Sequence, residues 1–158
     1  MSKAVLISIR PKWCEKIVNG EKTIEVRKTR PKLETPFKCY IYETGRFVEK
    51  DGTMTFMLGG TVIGEFMCDA ISRVNICGFW DDSGKQLDNR LKETCLTSEQ
   101  LCNYLGEKVG YGWHISDLKI YDAPRELSEF TGLRNTRFGA APYDIKRPPQ
   151  SWCYVEEV

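Results

Sequence analysis

Histidine is nearly missing from this 158-residue chain: His114 is its one copy. A Ser/His/Asp or Cys/His catalytic arrangement would rest wholly on that residue. Its neighbours Trp113 and Ile115 read as strand, so a structural role is expected for it. Clustered Cys and His ligands are also lacking. The seven cysteines (Cys14, Cys39, Cys68, Cys77, Cys95, Cys102 and Cys153) are scattered, with no Cys-x-x-Cys and none near His114 in sequence. Structural zinc needs such ligands at short spacing, so no metal and no cofactor are expected. An odd number of dispersed cysteines also argues against a disulfide framework; they read as reduced thiols, several of them buried as small hydrophobes. No glycine-rich stretch fits a phosphate loop or a dinucleotide fingerprint, and Gly59-Gly60 reads only as a turn. No apolar run approaches the roughly 20 residues that span a bilayer, so no membrane partner is expected. The N-terminus has no basic segment followed by an apolar stretch and a cleavage site. No secretory signal is therefore expected, and the chain reads as cytoplasmic.

Net charge is also lacking, at +1, but its distribution is uneven. Residues 10–38 hold nine Lys/Arg (Arg10, Lys12, Lys16, Lys22, Arg27, Lys28, Arg30, Lys32 and Lys38) against Glu15, Glu21, Glu25 and Glu34. That is a surplus of five positive charges on an otherwise acidic chain. One basic face on a neutral body is the footprint of nucleic-acid contact, though lysines placed for solubility give the same count.

Composition is ordinary for a globular protein, with 41% hydrophobic and 28% charged residues. The length suits one domain. Lys3–Ile9 reads as a strand that ends before Pro11, a residue suited to a helix's first turn. A helix follows over 12–19, with Trp13 and Ile17 on its apolar face. A strand of aromatic and β-branched residues covers 37–42, and 45–60 reads as a linker or a hairpin. A long strand covers 61–71, where Gly64 suggests a bulge or a corner. Residues 79–95 are poorly patterned and read as an insertion with some helix in it. Thr97-Ser98-Glu99-Gln100 resembles a capping box that opens a helix closed by Gly106. Residues 111–121 read as a strand, 124–130 as a helical turn, 131–149 as loop, and 151–157 as the last strand. The class is α+β, with six strands and two or three helices.

Residues 20–27, Gly-Glu-Lys-Thr-Ile-Glu-Val-Arg, carry the most information. Gly20 marks a helix end. Thr23 to Arg27 alternate polar and apolar residues, as a half-buried strand does. Ile24 and Val26 then face a core, while Thr23, Glu25 and Arg27 face solvent or a cleft, with Lys22 at the strand entrance. The octet fits Gly-x-Lys-x-x-Glu-x-Arg through Gly20, Lys22, Glu25 and Arg27, and in this it resembles the ASCH family of PUA-like domains. The preceding Ala4–Pro11 is similar to that family's first strand and helix start. Residues 62–66 and 151–155 are similar to later strands. Residues 71–110 carry no such likeness and read as a family-atypical insertion.

The resemblance implies a small PUA-like mixed β-barrel with two or three flanking helices, and a cleft that engages RNA or a nucleotide-like ligand. Arginine offers phosphate a planar fork and lysine a point charge. The expected ligand-binding residues are Arg10, Lys12, Lys22, Glu25, Arg27, Lys28 and Trp152, with Trp13, Tyr40, Tyr42 and Trp113 as further aromatics that could stack on bases. A second implication is amide hydrolysis of acylated nucleosides, with Lys22, Thr23, Glu25 and Glu65 as catalytic candidates; here Glu25 stands where that branch carries its threonine. A third is metal-dependent ribonuclease action, with Glu25, Glu65 and Asp69 as oxygen ligands. A surface ion pair between Glu25 and Arg27 is the structural alternative. The oligomeric state is unknown from sequence.

Overall fold

The computed structural model describes residues 2–57 and 60–158; the Gly59-Gly60 turn lies partly outside the described residues. The chain is mixed α+β and sheet-dominated, with 51% of its residues in strands and three helices. It divides into two compact units, one made of residues 1–15, 38–66 and 118–158, the other of 16–37 and 67–117. No described helix is long and apolar enough to cross a membrane.

The first unit contains β1 (Lys3–Ile9), β3 (Phe37–Glu43), a hairpin of β4 (Arg46–Lys50) and β5 (Thr53–Met57), β10 (Thr131–Thr136), β11 (Gly139–Asp144) and β12 (Trp152–Glu156). Portions of β6 (Thr61–Asn75) and β9 (Gly110–Arg125) also fall in it. Its strand order is β11-β10-β12-β1-β3-β6. β1 pairs antiparallel with β12 and parallel with β3. A parallel pair needs a crossover. Here that crossover carries α1 (Pro11–Val18) and β2 (Ile24–Arg27). Ala4, Leu6, Tyr40, Val62, Phe130 and Val155 form this unit's core. Gly64 allows a close approach: a Cβ there would stand 2.4 Å from the carbonyl oxygen of Lys119.

The second unit holds β2, which pairs with β9, and β7 (Gly78–Trp80) and β8 (Gln86–Leu87), which extend β6. It also holds α2 (Leu91–Thr94) and α3 (Ser98–Leu105). Ile24, Val26, Val74, Phe79, Leu101 and Leu105 form its core. The expected capping box is present: Thr97 accepts from the Gln100 amide at 3.0 Å, and the Gln100 side chain accepts from the Thr97 amide at 2.9 Å.

The structure adds to or departs from the expectations at three places. The strand orders do not close on themselves, so the expected barrel is not seen among the described residues. The stretch 131–149 contains β10 and β11 rather than loop alone. Its Gly and Pro content hid them, yet each such residue has a place in the hairpin. Pro142 sits in β11, an edge strand where a missing amide is tolerated, and Gly139 takes φ +104 just after the turn. Residues 79–95 likewise supply β7, β8 and α2. No disulfide joins the cysteines: Cys14, Cys39 and Cys68 are buried thiols, as expected, and burial pushes the Cys68 thiol up to about 12.

Gly64→Ala forces the new methyl into a backbone carbonyl. Overpacking of this kind costs about 1–3 kcal/mol. Urea unfolding monitored by far-UV circular dichroism is expected to show the midpoint fall by that amount with m unchanged.

Candidate nucleotide-binding site in the second unit

The end of α1 places the motif. Gly20 adopts φ +82, which glycine reaches without steric cost, and its amide donates to the Ile17 carbonyl at 3.1 Å. The Lys22 amide then bonds the Lys16 carbonyl at 3.0 Å. Thr23 is fixed by its neighbours: its amide donates to the Glu93 carbonyl and its carbonyl accepts from the Ile115 amide, both at 2.9 Å. From this anchored turn Lys22 runs inward rather than to the surface. It is 1% exposed, and its Nζ donates to the Thr94 carbonyl at 2.5 Å.

Glu25 lies beside it. Its Oε1 stands 3.9 Å from Lys22 Nζ and 3.8 Å from Arg27 Nε, ionic contacts too long for hydrogen bonds. Its Oε2 is buried and has no hydrogen-bond partner among the described residues. Glu25 is itself 7% exposed, so the cluster is an interior feature and not the surface ion pair of the structural alternative. Desolvation holds the Lys22 ammonium below its usual range, and Arg27 lowers it further; Glu25 and the Cys95 thiol oppose this. Register sets Glu25 opposite Trp113, and Phe37 meets that indole edge-on with centroids 5.9 Å apart. Ile24 and Val26 face the core, as the alternation predicted.

Past the end of β2 the chain carries two more cations, Lys28, which is exposed, and Arg30, which is half-buried. Lys28 lies over the Tyr104 ring at 4.9 Å, and Arg30 over Tyr111 at 6.0 Å while pairing with Asp82 at 3.1 Å. Tyr104 and Tyr111 escaped the sequence reading because each lies far along the chain. Tyr104 reads from sequence as part of the apolar face of its helix with Leu101, Cys102 and Leu105, but nothing in the sequence brings that face to Lys28.

The remaining candidates are elsewhere. Thr23 Oγ1 donates to Glu93 at 3.3 Å. Glu65 belongs to the first unit, where it accepts from Tyr121 at 2.9 Å and pairs with Lys38 at 3.0 Å. Arg10, Lys12 and Trp152 are also in the first unit; Lys12 lies over the Trp13 ring at 4.8 Å, and Trp152 meets Tyr154 edge-on at 5.2 Å. Tyr40, Tyr42 and Trp113 are core residues, so they do not offer a face to a base. Asp69 is exposed, and no group of three or more His, Cys, Asp or Glu among the described residues is placed to hold a metal. His114 Nε2 lies 2.6 Å from Ser72 Oγ, but Ser72 is 2% exposed, which suits a structural pair.

Residues 7–68 match the family model of the ASCH domain. The motif resemblance is thus borne out over the stretch that carries Gly20, Lys22, Glu25 and Arg27. The ASCH protein of Zymomonas mobilis has a similar fold, at 22% identity and TM-score 0.63, over 98% of this chain and 88% of that one. A variant of that protein compares at 20% identity and TM-score 0.62, over 98% and 89%. No curated protein matches the chain.

Two outcomes are expected from this geometry. Glu25→Gln strips the counter-charge from two cations. Breaking a buried ion cluster in this way costs about 3–5 kcal/mol, read as a lower urea midpoint at neutral pH. Lys22 has a folded pKa below its unfolded value, so the unfolded chain binds more protons between the two and stability rises with pH there. Burial of the charged amine is fully penalised below the folded value, and the penalty is relieved as pH climbs through it toward 10.5. Urea titrations from pH 7 to 10.5 are expected to show that gain in wild type and its loss in Lys22→Met.

Proposed function

We propose that the chain recognises single-stranded RNA or a nucleotide-like ligand through the ASCH motif and the rim beside it. The observation that carries this reading is the run along β2 and beyond. A buried Lys22/Glu25/Arg27 cluster leads into Lys28 and Arg30, each set over a tyrosine. A buried group of two cations and one anion favours an anionic ligand, and arginine and lysine bind phosphate oxygens in different geometries. Tyrosine faces next to cations offer stacking platforms to unpaired bases. The ASCH family is generally associated with RNA binding, which supports the same reading. The segment 71–110 supplies Thr94 and Tyr104 to this reading, and Tyr111 follows directly after it. A PUA-like barrel remains the family-derived expectation for the architecture.

In this reading Glu25 orients Arg27, and its second oxygen accepts from a donor on the ligand: a base amine, an imide N–H or a ribose hydroxyl. Arg10, Lys12 and Trp152, in the first unit, are proposed as ligand contacts in their own right.

A second reading, hydrolysis of acylated nucleosides, is favoured by one observation. Lys22 is a desolvated amine with a lowered pKa, and burial of this kind eases the exchange of its proton. Thr23 and Glu25 lie in the same unit, whereas Glu65 is held by Lys38 and Tyr121.

Fluorescence anisotropy with labelled single-stranded RNA tests the first reading. Wild type is expected to bind with an affinity that falls steeply with salt. Tyr104→Ala is expected to weaken binding roughly 5- to 150-fold, the worth of one stacked base. Absence of binding at low salt, together with release of the acyl group from an acylated nucleoside, would shift the conclusion to the second reading.

A further inference from the structure

We infer that the β10–β11 hairpin is a second nucleic-acid contact in the first unit, with Phe138 stacking on an unpaired base. This inference rests on the RNA reading for its ligand class, but its residues and its geometry are separate from the ASCH motif.

Phe138 is 92% exposed at the hairpin tip. The turn itself gives no reason for a phenyl ring there, because such positions favour small and polar residues. Burying a Phe side chain is worth about 1.5–3 kcal/mol, and this fold leaves that gain unused. The tip is also held in a defined shape. Thr136 Oγ1 accepts from the Phe138 amide at 3.2 Å and donates to the Gly139 carbonyl at 2.7 Å. At the base of the hairpin, the Tyr143 ring covers Gly132 so closely that a Cβ there would lie 2.3 Å from it. The ring is thus locked across the strand pair.

Cations surround these two rings. Arg134 lies over Tyr143 at 5.2 Å, and Arg137 over Phe138 at 5.7 Å. Lys146 and Arg147 follow in the exposed segment after β11, and Asp144 is the one acid from 131 to 147. The hairpin thus carries a ring with a cation at its tip and another such pair at its base, and two exposed cations follow, of which Lys146 stands 3.9 Å from Asp144. That pairing matches a strand that presents phosphates on one side and π-faces on the other. A protein partner or a membrane would also meet an apolar tip, but the charge surplus favours a polyanion. Each guanidinium already lies within 6 Å of a ring centroid, and arginine's five N–H donors suit phosphate oxygens.

The test is RNA binding by the full chain in four forms: wild type, Phe138→Ala, Phe138→Tyr, and Arg134→Gln/Arg137→Gln. Arg27→Gln serves as the control for the motif site. Phe138→Ala is expected to weaken binding of labelled single-stranded RNA roughly 5- to 150-fold, with an unchanged salt slope and an unchanged unfolding midpoint. Phe138→Tyr is expected to restore it. The double arginine variant is expected to reduce the slope of log K against log salt by about 1.4, the yield of two lost phosphate contacts on a single strand. If Arg27→Gln loses RNA while Phe138→Ala keeps wild-type affinity, the hairpin contact is overturned and the motif reading stands. Loss in Phe138→Ala with full binding in Arg27→Gln has the converse meaning. No RNA binding by wild type overturns both. Cosedimentation with anionic vesicles that depends on Phe138, without an RNA effect, would reassign the tip to a membrane.

Discussion

The bond from Lys22 Nζ to the Thr94 carbonyl organises the second unit. An ammonium group is costly to remove from water, and it is tolerated inside a protein only when its protons and its charge are met. Here a carbonyl from α2 meets one proton and the Glu25 carboxylate meets the charge. Each of those partners must be in place before the lysine can be buried. The requirement ties the α1 end, β2 and α2 to one arrangement, and it explains why the Thr23 backbone is also held by Glu93 and Ile115. Glu25 in turn cannot be exchanged for a neutral group without exposing two cations to each other. The three side chains that stabilise this unit are the same three that the proposed function uses.

This coupling has a consequence for binding. A cluster assembled around a buried lysine is rigid, because moving any member strands a charge. Pre-organised charge loses little entropy when a ligand arrives, so modest contacts can give useful affinity. The cations farther along are different. Lys28 and Arg30 lie over tyrosine rings nearer the surface, and in the proposed reading they would exchange those faces for bases. The site thus combines a fixed interior with an adaptable rim. The hairpin in the first unit repeats the rim's chemistry, with Arg134 on Tyr143 and Arg137 on Phe138, without any buried charge beneath it.

Much of this was legible in the sequence. The alternation from Thr23 to Arg27, the Gly20 helix end, the β1 strand before Pro11 and the Thr97 capping box all rest on local rules, and each is present. The motif pointed to the family model that matches residues 7–68, because four residue types at fixed spacing stand in a single octet. What local rules could not give was depth. Lys22 reads as a surface lysine from its neighbours alone, because its acceptor lies 72 residues away, in a segment with no family likeness. Tyr104 and Tyr111 were missed for the same reason. The β10–β11 hairpin was hidden by Gly132, Gly139 and Pro142, residues that signal loop in isolation but here make room for Tyr143, form the turn and occupy a sheet edge. Tyr40, Tyr42 and Trp113 show the opposite error, since composition marks an aromatic as a stacker or a core residue with equal ease.

The most direct test of the account is a two-dimensional amide NMR titration of the isotopically labelled chain with short single-stranded RNA. The account predicts saturable shifts at Arg27, Lys28, Tyr104 and Tyr111, with the Lys22 amide following as the charge beneath the rim is rebalanced. Saturating RNA that leaves these amides unmoved would contradict it.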